Sequence, residues 1–242
     1  MGVSSGIKAR RLLSAPLAAA SLSLGVALGA ASQPVQALDL SSLTQADAST
    51  ALKTTLQKGA DAAVSSLGQT NGFLGNPEVK IPLPESMQKA RKLMKLMGKD
   101  KEFDALETGI NRAAEAAVPE ARTLLTNSIK SMSVSDAKSI LSGGDDSVTQ
   151  FFRDKTQTDM FNKFLPIVTQ NVGKLGLAQQ YNSLAGQAAK VGVVSSDDAK
   201  IENYVTNKAM DGLYKMIAAE EKSIRADPVG TGSKLLKRVF SN

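Results

Sequence analysis

The stretch "SILSGGDDSVTQFF", residues 139–152, sets two glycines and two carboxylates between apolar runs. Residues of these types can hold a cation, cradle a phosphate, or turn the chain between two helices. A calcium loop of the EF-hand kind needs acidic oxygens at alternate positions and a Glu at the twelfth. Asp145 and Asp146 are adjacent instead, so their side chains diverge. A phosphate cradle needs a Gly-rich loop that ends in Lys and Ser or Thr, whereas acids at that point repel phosphate. A corner between helices uses every residue. Gly143 in the left-handed conformation ends one helix, and Asp145 or Asp146 caps the next by accepting its free backbone N–H groups. As metal ligands, Asp145 and Asp146 need further carboxylates to meet them.

Other chemistry is bounded by what the chain lacks. None of its 242 residues is His or Cys. That removes Ser-His-Asp and Cys-His catalysis, imidazole-built zinc sites, Glu-x-x-His di-iron pairs, disulfides and a lipid-anchored Cys. Trp is absent and aromatics make up 4%, a poor supply of stacking platforms for bases. Ser135-Asp-Ala-Lys138 matches a Ser-x-x-Lys nucleophile pattern, but its companion motifs are missing. Asp211, Glu220, Glu221 and Asp227 crowd one long helix. Asp211 with Lys215, and Glu221 with Arg225, stand at i,i+4 in the favourable order, as a solvated face explains. Only convergence with Asp145 or Glu115 would make a cation site of them. No residue is assigned a catalytic or cofactor-binding role.

One helix points outward. In "PESMQKARKLMKLMGK", Met87, Ala90, Leu93, Met94 and Met97 fill an arc of about 120°. Lys89, Arg91, Lys92 and Lys95 occupy the other side. A basic, Met-lined amphipathic helix suits an anionic membrane surface or a partner's groove; a core helix with a cationic outer face is the plainer reading, and it is favoured. Those four basic residues are the candidates for weak peripheral contact with an anionic membrane or an envelope protein.

The elements that must position these residues are helical nearly throughout. Ser42 and Gln45 form a capping-box pattern ahead of a stripe of Leu52, Leu56, Ala60, Ala63, Val64 and Leu67, which Gly68 ends. "GQTNGFLGNPEVKIPLP" follows, a long loop whose prolines forbid a helix. Pro84 opens the basic helix. Asp100 caps one carrying Phe103, Leu106, Ile110, Ala113 and Ala117. Pro119 kinks it or starts another. Ser133 and Asp136 make a second capping box. Phe151, Phe152, Phe161, Phe164, Leu165, Val168 and Val172 continue past the corner, with a bend near Pro166. Leu177, Tyr181, Leu184 and Ala188 mark another helix, and a long one follows Ser195 and Ser196. A short one holds Leu235, Leu236, Val239 and Phe240. The expected fold is all-α, an irregular multi-helix bundle with one long Gly/Pro-rich loop.

The N-terminus reads as an address. Lys8, Arg10 and Arg11 precede an apolar run over 12–31, and Val35-Gln36-Ala37 fits a signal peptidase site. Residues 1–37 are expected to be a signal peptide cleaved after Ala37, and 38–242 a single helical domain in the periplasm. Three of the 29 basic residues and none of the 23 acidic ones go with the leader, so the net charge falls from +6 to +3. That is too mild to imply nucleic acid.

"NGFLGNPEVKIPLP", "NRAAEAAVPEA", "KSILSGGDDSVTQFF" and "KAMDGLYKMIAAEEKSIRADP" together resemble an uncharacterised family of exported bacterial proteins, domain of unknown function four-one-nine-seven. The resemblance runs from about residue 52 to 240. It implies an exported, mainly helical bacterial protein and brings no activity, cofactor or site residue. The expected function is non-catalytic binding or scaffolding in the periplasm. The alternatives are a metal-dependent hydrolase built on carboxylates alone and a helical carrier of an apolar ligand.

Overall fold

The structure, a computed structural model, describes residues 45–95, 100–174 and 200–226, with 176, 179 and 181. Among these there is no strand. The elements are α1 (Gln45–Leu67), α2 (Glu85–Lys95), α3 (Asp100–Ala117), a 3-10 turn (Val118–Glu120), α4 (Ala121–Lys130), α5 (Val134–Ser142), α6 (Ser147–Gly173) and α7 (Ile201–Ala226). The signal peptide, the Ser42 cap, most of the helix expected around Leu177, and the short one around Leu235 lie outside the described residues. Tyr181, from the first of those helices, is buried in the core. No helix among the described residues is long and apolar enough to cross a membrane.

The apolar stripes behave as their spacing predicts. Leu52, Leu56, Ala60, Ala63, Val64 and Leu67 are all buried, as are Phe103, Leu106, Ile110, Ala113 and Ala117. The α6–α7 pair forms the spine, with α3 packed on both and with α1 bridging α4 and α7. Burial of these stripes supplies most of the stability, at about 25 cal/mol per Å² of apolar surface. Pro119 stands in the first turn of the 3-10 segment, which breaks α3 from α4 because a ring nitrogen cannot donate there. By contrast α6 runs unbroken through Pro166.

The Gly/Pro-rich loop between α1 and α2 is held by side chains of α3. Glu115 Oε1 accepts the backbone N–H groups of Phe73 and Leu74, each at 3.1 Å. Asn111 accepts from Ile81 N–H at 2.9 Å and donates to the Ile81 carbonyl at 2.8 Å, as a neighbouring strand would. Phe73 thereby enters the core, where it lies against Gly212 of α7. A Cβ on Gly212 would sit 2.6 Å from the Phe73 ring, so only glycine admits this approach. Glu115 is therefore committed to the loop and to Arg112, 2.5 Å away, and is not turned toward Asp145.

Candidate functional site at the corner between α5 and α6

The stretch that raised the question of chemistry is a helix corner, built differently from the expectation. Ser133 accepts from Asp136 N–H at 3.0 Å while Asp136 accepts from Ser133 N–H at 2.9 Å, the expected capping box at the start of α5. The Ser133 backbone N–H, together with its hydroxyl, which donates to the same carboxylate at 2.8 Å, holds the Asp136 carboxyl below its usual range. Gly143 is not left-handed. It is extended, with φ −82° and ψ 172°, and its role is close approach: a Cβ would fall 2.5 Å from that of Ser147. Asp146 holds the N-cap position of α6, but its carboxylate accepts from Gln150 Nε2 at 2.6 Å and from none of the helix amides. Asp145 is exposed beside it.

The cap comes from α7. Glu221 accepts the N–H of Val148 at 3.1 Å and of Thr149 at 3.2 Å, neutralising the positive end of the α6 dipole. Glu221 is 4% exposed and pairs with Arg225 at 3.0 Å. Arg225 in turn donates to Ser147 Oγ at 2.7 Å and to the Ile140 carbonyl at 3.1 Å. The Glu221–Arg225 pair, expected on a solvated face, is thus a buried tie between α7 and the corner. Asp211 and Lys215 do not pair. Asp211 meets Arg153 at 3.5 Å, and Lys215 donates to the Glu78 carbonyl at 2.8 Å.

Above this tie the corner opens into a groove of about 480 Å³. Ile140 and Phe151 give it an apolar floor, and among the described residues Asp136, Asp146 and Asp154 stand around it against a single cation, Lys155. Lys155 Nζ lies 6.0 Å from the Phe151 ring centre. Asp154 is exposed and has no hydrogen bond or ion pair among the described residues. Of the two metal candidates, the groove includes Asp146 and leaves out Asp145. Nor do any three acidic side chains among the described residues gather closely enough to share a metal ion.

The basic helix divides. Arg91 turns back onto α3, where it bonds Asp100 at 2.7 Å and also reaches Asp104 and, at 3.5 Å, Glu107. Its guanidinium pulls the Asp100 carboxyl below its usual range. The expected Asp100 cap is therefore spent on an ion pair, and Arg91 is lost to any outward cationic face. Lys89 pairs with Glu85 at 2.8 Å in full exposure, an arrangement worth little in water. Lys92 and Lys95 are exposed, and Met87 is buried. The side chains of Ala90, Leu93, Met94 and Met97 lie outside the described residues.

Sequence reasoning missed Glu221 as the builder of the corner. One signal pointed to it, for Glu221 falls four residues after Ile217 and three before Ile224, on the apolar stripe of α7. No curated protein and no solved structure matches the chain. A family model described as "Protein of unknown function (DUF4197)" matches residues 42–241, with the corner, the groove and α7 all inside the match. The chain belongs to that family.

Proposed function

We propose that the protein is a non-catalytic binding protein of the bacterial periplasm, whose α5–α6 groove holds a short basic segment of an envelope partner. The observation that supports this most is the contrast between the two sides of the corner. Beneath, every charge is matched by the Glu221–Arg225 tie. Above, among the described residues, three carboxylates face one lysine around an apolar floor. A cleft of about 480 Å³ is of ligand-site size. Lys and Arg side chains suit it, since their aliphatic stems cover apolar surface while their charged heads reach the rim. The periplasmic placement rests on Lys8, Arg10, Arg11, the apolar run and Val35-Gln36-Ala37. The apolar-carrier reading gains no support from the spaces between α1, α6 and α7, which hold about 10 Å³ each, scarcely one water.

Fluorescence anisotropy with a labelled peptide of alternating Lys and Leu, against one with Glu for Lys, tests the reading. The basic peptide is expected to bind and to weaken as salt rises. Asp146→Asn with Asp154→Asn should cost about ten-fold in affinity, equivalent to roughly 1.4 kcal/mol. Equal binding of both peptides, or binding untouched by the two substitutions, overturns it.

A further inference from the structure

The partner's segment can be specified further from the way α6 spaces its charges. We infer that the α5–α6 groove takes an extended basic segment, with two cations four residues apart and an apolar side chain midway between them. This rests on the groove being the binding site of the function proposed above, and it names the shape and spacing that the site reads.

The three carboxylates are not equally open to a ligand. Asp136 accepts the Ser133 N–H at 2.9 Å and the Ser133 hydroxyl at 2.8 Å, and after those bonds the charge of Lys155 also holds its carboxyl low. Lys155 is thereby offset within the groove. Among the described residues of the lining, Asp146 and Asp154 are left as the excess charge. The Asp146 carboxylate accepts from the neutral Gln150 amide, and Asp154 is exposed. Asp146, Gln150 and Asp154 stand at i, i+4 and i+8 along the chain, and all three line the groove. At 1.5 Å per residue, the helix bears the two carboxylates about 12 Å apart. Ile140 and Phe151 form the apolar floor beside that row.

An extended chain matches this interval. It advances about 3.3 Å per residue and alternates its side chains between two faces, so residues i and i+4 point the same way about 13 Å apart. Residue i+2 lies between them on the same face. Lys at i and i+4 then reaches Asp146 and Asp154, while Leu at i+2 lies on Ile140 and Phe151. Cations two residues apart are separated by about 7 Å, and six apart by about 20 Å. In both of those cases the midway residue also turns away from the floor. A helical segment needs about eight residues for the same interval. As a cylinder about 10 Å wide and 12 Å long it fills roughly 900 Å³, against a groove of about 480 Å³. The groove is too small for it.

Fluorescence anisotropy on the full chain tests the spacing, with labelled peptides of one length. Each carries two Lys, one Leu midway between them and Ser elsewhere, with the Lys two, four, six or eight residues apart. The spacing of four is expected to bind about ten-fold more tightly than any other. Pro in place of the Ser before Leu should leave that binding unchanged, because an extended chain accepts it and a helix interior does not. In Asp146→Asn or in Asp154→Asn the second Lys should add nothing, so that peptides with one and with two Lys bind alike. Gly144→Leu narrows the groove at the Asp146 end. The nearest atom to a Cβ at Gly144 is Asp146 Oδ1, 3.8 Å away, so this variant is expected to fold and to lose the peptide.

Equal affinity at all four spacings, or tightest binding at any spacing other than four, overturns the inference and leaves the function standing. If none of these peptides binds, the peptide of alternating Lys and Leu decides. Its binding leaves the function standing without the inference, and its failure removes both.

Discussion

Glu221 shows how a carboxylate can be buried and still stabilise. Two backbone N–H groups and Arg225 surround it, so its desolvation is offset by the bonds it accepts from a cation and from a helix start. Removing the charge takes from Arg225 the carboxylate it bonds and leaves two helix amides poorly satisfied. Glu221→Gln is expected to destabilise by about 3–5 kcal/mol in urea unfolding. Asp145→Ala with Asp146→Ala, which touches no cap bond, should stay within about 0.5 kcal/mol. The reverse ranking would mean that the aspartates cap α6. The local chemistry of the corner was legible: the capping box of Ser133 and Asp136 stands as read, and so does the turn between α5 and α6. The cap was not. A carboxylate 73 residues away in sequence leaves no local spacing to read, and its i,i+4 partner Arg225 gave Glu221 a sufficient exposed explanation.

Helices announced themselves through periodicity, and the loop between α1 and α2 did not. Its turn residues said only that it could not be helical. What gives it one path is α3, through Glu115 and Asn111, whose polar side chains replace the partners that a strand or helix would supply. Glu115→Ala should therefore act on the loop before the bundle. Amide exchange at Phe73 and Leu74 is expected to quicken by about ten-fold for each 1.4 kcal/mol lost, while the amides of α6 keep their protection. Uniform loss of protection would instead mean that loop and bundle open as one unit. Asn111 and Glu115 also occupy the buried face of α3 beside Ile110 and Ala114. A polar residue on an apolar stripe was thus the legible sign of a loop contact, here as at Glu221.

For the chain taken together, the all-α fold was readable because its core depends on stripes of one period. The groove was not, since its walls come from helices whose angle no stripe encodes. The leader remains a reading of sequence. Material from the periplasm is expected to begin at Leu38 by intact mass, and a membrane-bound chain retaining Met1 would overturn the placement.

The tie between α6 and α7 also bears on the order in which the protein can be made. A ribosome or a translocation pore delivers α6 well before Glu221 follows. Until then the Val148 and Thr149 amides of α6 have only water, and the corner has only its short-range bonds. Contacts between such distant residues close late and slow folding. Any factor that holds the emerging chain open therefore has its longest opportunity at α6, before residue 221 arrives to seal it.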